Sequence, residues 1–253
     1  MPHLSAPVYA ETPLLSLRGF LCASNVADSA NDIDITGRIG DALVSKGSLG
    51  GIVLNQDNIV TVQKDRVQTV SELNGRDQAT LFVVDTWIYI HLVWDEKGTW
   101  GGLLSTSATT PTLPANYRFF RRIGSARIGA GGDFLPFHQV TYLSTRRTIL
   151  DLSEANAKVL ANGDSGGIAT FVAVDISTHV PPTVSEIFLA GFNTGNLRNC
   201  YLRLSECSDM QIPWQWGTCN CEISWYPTAC QTFHYASSSS CVDAMIFGYG
   251  ENA

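Results

Sequence analysis

Apolar and polar positions along the chain follow a two-residue rhythm far more often than a helical one. The segments LFVVDTWIYIHLVWD, YRFFRRIGSARI, IATFVAVDIS, TVSEIFLAGF and VDAMIFGYG are rich in β-branched and aromatic residues and predict strands. Between such runs stand turn-forming clusters: LNQDN, ELNGRD, DEKG, GAGGD, ANGDSGG and NTGN. One stretch, LDLSEANAKVL, has helical character, yet it is short and has no clear stop before Gly163. The expected class is all-β, an antiparallel sandwich of jelly-roll type.

The run from Asp85 to Asp95 carries more information than its neighbours. Both of its alternating sets are apolar, Trp87/Tyr89/His91/Val93 on one side and Ile88/Ile90/Leu92/Trp94 on the other, so it predicts a central strand covered on two faces. DEKG then turns the chain into TWGGLLST, a hairpin in which Gly98 supplies a positive φ. No period of about 20 to 50 residues recurs, which argues against propellers and solenoids. Residues 1–30 differ from the rest of the chain, with several prolines, LLSLRGFL and the polar SNVADSANDID; they are expected to form an N-terminal arm or attachment segment, with the sandwich over 31–253. An edge strand of the same sandwich is the other reading of that arm.

Composition narrows the functions. At 253 residues and 45% hydrophobic content, one domain with a sizeable core is expected. A net charge of −7 with only 15% charged residues leaves no broad cationic surface for phosphate backbones, so nucleic acid is not an expected partner. The N-terminus lacks a basic start followed by an apolar core, and no apolar run is long enough to span a bilayer, so a soluble, unprocessed chain without membrane insertion is expected. Six of seven cysteines (Cys200, Cys207, Cys219, Cys221, Cys230, Cys241) fall in the last quarter. Reduced, partly buried thiols are the leading expectation, with disulfides formed after release from the cell as the alternative. Cys219-Asn-Cys221 is too tight for a zinc knuckle and lacks a second ligand pair, so neither metal nor cofactor is expected.

The pentapeptide GDSGG around Ser165 matches the nucleophile segment of trypsin-like proteases. Such a site needs a histidine base and an aspartate ahead of the serine. Here His3 lies in the arm, His91 on an apolar strand and His138 in LPFHQV, while His179 and His234 follow the serine. Asn162 to Gly167 are all turn formers, and the expectation is a turn joining AKVL to IATFVAV, not a nucleophile.

A resemblance enters at NDIDITGRIGDAL, followed by DTWIYIHLVWDEKG, LPANYRFFRRIGSARIGAGGDFLPFHQ and the closing FGYGEN. This order resembles receptor-binding tail fibre and head spike proteins of tailed bacteriophages and gene transfer agents. The resemblance covers about 110 central residues and the last ten, and its motifs are structural rather than chemical. It implies a β-sandwich, a homotrimer, a place on the surface of a virion or phage-like particle made in the bacterial cytoplasm, and loops that bind host polysaccharide or protein.

Within those expectations, Phe119, Ile123 and Phe134 read as core. Arg118, Arg121 and Arg122 form the densest basic stretch, suited either to pairing with carboxylates and carbonyls within or between subunits, or to an anionic saccharide. Saccharide sites pair an aromatic face with amides and carboxylates. The C-terminal third supplies both in DMQIPWQWGTCNCEISWYPTACQTFHY, where Trp214, Gln215, Trp216, Trp225 and Tyr226 are the candidate glycan contacts; tryptophans packed in a core are the competing reading. The expected function is non-catalytic: attachment to bacterial surface polysaccharide, with the arm docked on other particle proteins. The alternatives are a polysaccharide depolymerase using two carboxylates and a structural decoration or adaptor protein.

Overall fold

A computed structural model describes residues 19–38, 41–44, 51–54, 56–68, 72–142, 145–151, 153, 157–163, 167–193, 198–204, 211–216, 221–225, 231–237 and 242–251. The elements these residues form are strands, and Ala157 alone among them has α-helical backbone. In chain order they are β1 (Leu21–Ser24), β2 (Asp32–Gly37), β3 (Ala42–Val44), β4 (Gly51–Val53), β5 (Asn58–Gln63), β6 (Gly75–Arg76) and β7 (Trp87–Trp94). Then follow β8 (Trp100–Ser105), β9 (Phe119–Arg127), β10 (Phe137–Tyr142), β11 (Thr145–Leu150), β12 (Lys158–Gly163) and β13 (Gly167–Asp175). The last six are β14 (Val184–Asn193), β15 (Arg198–Leu204), β16 (Gln211–Trp216), β17 (Cys221–Trp225), β18 (Thr232–Ser237) and β19 (Val242–Glu251).

One long sheet organises the molecule, in the order β17-β14-β19-β11-β10-β1-β2-β5, with β12 also pairing β19. Two four-stranded sheets cover it, β6-β8-β7-β9 and β13-β18-β15-β16. Register puts both on the same face of the long sheet. Phe137, which packs in the first core, lies opposite Leu150; Thr148, two residues along, lies opposite Tyr249, which packs in the second. Because side chains alternate with period two, these residues share one side. The all-β antiparallel sandwich is therefore borne out. Its finer form is two sandwiches side by side on a shared sheet.

The first core joins Cys22, Ile33, Ile35 and Val62 from the long sheet to Ile88, Ile90, Leu92 and Trp94 of β7 and to Ile123 and Phe134. The second joins Val174, Phe233 and Tyr235 to Ile187, Leu189, Ile246 and Tyr249. Leu150 packs against both. β7 has the two covered faces its pattern predicts, since Val93 packs outward with Leu73 and Leu103 beneath Leu113, Tyr117 and Phe120. The DEKG hairpin forms, with Gly98 at φ 84° and Asp95 Oδ1 accepting from the Lys97 and Thr99 amides.

Two elements differ from the sequence expectation. β1 is an interior strand between β10 and β2, so residues 19–30 belong to the body and not to an arm, while residues 1–18 lie outside the described residues. Of the helical-looking LDLSEANAKVL, Ala157 keeps helical backbone, its amide donating to the Ser153 carbonyl at 2.9 Å, while KVL enters β12, paired with β19 from Lys158 to Gly163. Open hydrogen-bonding groups on β19, together with burial of Val159 and Leu160 against the second core, outweigh a weak local helix preference.

Candidate functional site

Strand direction gives the first sandwich two poles. The chain comes into β1 at Gly19, packed against the Asp41 carboxyl, and runs to Ser24 at the far end. At that far pole the β1–β2 turn meets the β5–β6 turn. Asn25 shapes the first turn: its Oδ1 accepts from the amides of Ala27 (2.8 Å) and Asp28 (2.9 Å), while its Nδ2 donates to Asp34. The Lys64 ammonium donates to the Ala30 carbonyl at 2.8 Å and ties the two turns together.

Between them opens a groove of about 310 Å³ lined by Asp28, Asn31, Asp32, Gln63, Asp65 and Arg66. Asn31 Nδ2 donates to Asp28 at 3.0 Å and Gln63 Nε2 to Asp32 at 3.4 Å. The Asp32 carboxyl titrates above the ordinary carboxylate range, first because the turns desolvate it and then because Asp28, Asp34 and Asp65 repel its charge, against an opposing bond from Gln63. Arg66 reaches away to Glu72 at 2.7 Å. The set combines carboxylate acceptors with amide and guanidinium donors, groups that bond pairs of vicinal hydroxyls. Among the described residues, no three His, Cys, Asp or Glu side chains are grouped to hold a metal ion.

The residues singled out from sequence are distributed elsewhere. Trp214, Gln215 and Trp216 lie on β16, the edge strand of one covering sheet, opposite Cys200, Asn199 and Arg198 of β15. Trp225 ends β17, the edge of the long sheet, opposite Ile187. Residues 217–220 connect these two edges, and Tyr226 lies outside the described residues. The backbone thus brings Trp214, Trp216 and Trp225 to two edge strands, each belonging to one layer of the second sandwich.

The three arginines do not form one patch. Arg118 is exposed and pairs with exposed Glu96 at 2.7 Å, by the β7–β8 turn and away from the groove. Arg121 and Arg122 alternate to opposite faces of β9. Burial lowers the Arg121 pKa, and the Arg122 guanidinium sits 5.8 Å from the Tyr89 ring. Ser165 lies outside the described residues, between β12 ending at Gly163 and β13 starting at Gly167. Cys22 is buried and free, its thiol pushed up to about 12, chiefly by desolvation.

The junction of the two sandwiches is polar and buried. Trp87 Nε1 donates to the Ser177 carbonyl at 2.9 Å, Tyr249 Oη donates to the Ser125 carbonyl at 3.0 Å, and Ser125 Oγ donates to Glu251 at 2.7 Å. These bonds hold the halves together, and Trp87 and Tyr249 also line a small cavity of about 10 Å³ with Arg127, Leu150, Thr178 and His179. The groove was missed from sequence because its residues come from two turns more than thirty positions apart; the polar run SNVADSAND was the one signal. No protein-family model, no curated protein and no solved structure matches this chain.

Proposed function

We propose that the protein is a non-catalytic attachment protein of a phage-like particle that binds bacterial surface polysaccharide. The observation that carries this reading is the polar groove at the pole opposite the one where the chain comes in. A segment preceding Gly19 and docked on other particle proteins would leave that groove facing outward. The donor and acceptor set suits sugar hydroxyls, and the backbone places Trp214, Trp216 and Trp225, a residue type that stacks on sugar rings, on two edge strands of the second sandwich. Single saccharide contacts are weak, so a homotrimer would strengthen attachment by repeating the site.

One observation favours a second reading. A carboxyl with a raised pKa beside other carboxylates, as at Asp32, is what a glycosidase uses as general acid. The experiment separates the two: fluorescent protein is bound to capsulated and capsule-free cells, and purified capsule polysaccharide is sized before and after incubation. Capsule-dependent binding with unchanged polymer length, weakened by Asp32→Asn with Gln63→Ala, is expected. Shortened polymer would replace attachment with depolymerisation, and binding indifferent to capsule would overturn both.

A further inference from the structure

The β6–β7 connection carries four consecutive apolar residues, Leu81-Phe82-Val83-Val84, and only one of them is used inside. Phe82 packs against the first core, while Leu81, Val83 and Val84 are 63%, 66% and 46% exposed. Exposed aliphatic runs of this kind are disfavoured unless something covers them. The segment is firmly held. Arg76 donates to the Ala79 carbonyl at 3.0 Å, Thr86 Oγ1 bonds the Val83 carbonyl, and Asp85, at φ 60°, accepts from Arg127 at 3.1 Å. Asp is one of the residues that tolerate this left-handed conformation, and the bond from Arg127 fixes its side chain.

Neighbouring loops extend the surface. Val84 lies against Gly132 of the β9–β10 turn, and that turn is bonded through the Phe134 amide to Ala30 of the β1–β2 turn, whose Val26 is 99% exposed. Around this apolar tip the outermost charges are carboxylates. Asp85 and Asp133 are 56% and 65% exposed, while their partners Arg127 and Lys64 lie sunk beneath them at 10% each. The result is an apolar knob with an acidic rim on a chain of net charge −7.

We infer that this knob docks into a protein surface that offers an apolar pocket ringed by lysine or arginine. Charge complementarity selects that occupant. A second copy would bring acidic rim against acidic rim, anionic lipid headgroups would meet the same repulsion, and a glycan has no pocket for three aliphatic side chains. The inference goes beyond polysaccharide attachment and does not depend on it.

The test is selection of the full chain against a display library of disulfide-cyclised peptides, followed by affinity measurement on the selected peptides. Peptides that combine large apolar residues with Lys or Arg are expected, binding more weakly as salt rises and about tenfold more weakly to Leu81→Ser/Val83→Ser/Val84→Ser. Ile59→Ser, an exposed aliphatic on the outer face of the long sheet, should leave affinity unchanged and serves as the control. All four replaced side chains are exposed, so the variants are expected to keep the wild-type unfolding midpoint. Selection of no peptide that depends on the three residues would overturn the inference, as would selection of acidic peptides. Tighter binding of the wild type to phosphatidylcholine vesicles than to any selected peptide would transfer the knob to a membrane and overturn it equally.

Discussion

His91 should make the fold acid-sensitive by an amount that can be worked from its surroundings. The ring lies fully buried on β7; its Nε2–H donates to the Ser107 carbonyl at 2.9 Å, its edge meets Phe120 at 5.8 Å between centroids, and Nδ1 has no hydrogen-bond partner among the described residues. Burial dominates and lowers the pKa from 6.5 to about 4; Arg122 lowers it further, while the Ser107 bond and Asp77 oppose. The folded state therefore prefers the neutral ring. Stability from this preference is fully present above 6.5 and is lost as pH falls toward 4. At about 1.4 kcal/mol per pH unit the whole window is worth about 3 kcal/mol, of which about 2 is gone by pH 5.

The assay is urea unfolding at pH 7.5 and pH 5, wild type against His91→Gln, whose amide can still donate to Ser107. The variant is expected to be less stable at pH 7.5, through loss of the ring contact with Phe120. Its further decline on acidification should be smaller than the wild type's by about 2 kcal/mol. Carboxylates contribute to both proteins alike, so the difference isolates the imidazole. Equal declines would refute the reasoning, because the ring would then be titrating like an exposed histidine.

Other consequences rest on single contacts. Gly102→Ala should cost about 1–3 kcal/mol in chemical unfolding, since its Cβ would lie 2.1 Å from Val62 Cγ2 and 2.7 Å from Ile35 Cδ1, across the first core; a stability within error of wild type would contradict that packing. Arg147→Ala should cost about 3 kcal/mol, because it leaves Glu186 buried without the guanidinium held 2.9 Å away and stacked on Phe188; Arg147→Met with Glu186→Leu should recover most of the loss. Cys22 should resist iodoacetamide in the native protein and react only in denaturant, as read by mass spectrometry of its peptide; native labelling at the unfolded rate would show the thiol is accessible. Asp32 has a raised folded pKa, so it stabilises below the ordinary carboxylate range and that contribution is lost as pH rises through the folded value. Asp32→Asn should therefore be relatively more stable at pH 7 than at pH 3, and the opposite ordering would exclude repulsion within the groove.

What could be read from the sequence was what is local. β7 and β8 declare themselves because eight alternating residues are followed directly by a turn whose Gly98 meets its positive φ. β1 does not, because four residues are too few to show a period, and only its neighbours β10 and β2 make it a strand. β12 shows the opposite failure: helix-favouring residues are drawn into a sheet by an edge of β19 nearly ninety positions later. Arg121 and Arg122 look like one basic patch when written side by side, but strand alternation divides them between faces, one desolvated and one over an aromatic ring.

The same distinction explains the far pole. A groove built from Asp28, Asn31 and Asp32 on one turn and Gln63, Asp65 and Arg66 on another has no sequence signature, since each turn alone is only a polar connection. Pairing of β2 with β5 brings the two together, from Asp32 opposite Gln63 at this end to Gly37 opposite Asn58 at the other. A one-residue slip in that register would send Ile33 and Ile35 to solvent, so the first core enforces the alignment of the groove. The apolar knob is coupled to the same core through Phe82. Groove and knob at this pole are thus both held by the first core, and Val62→Ala, which changes no residue of either, should raise amide hydrogen exchange in the β1–β2 and β5–β6 turns and around Phe82 together; faster exchange in one alone would show that they are not coupled.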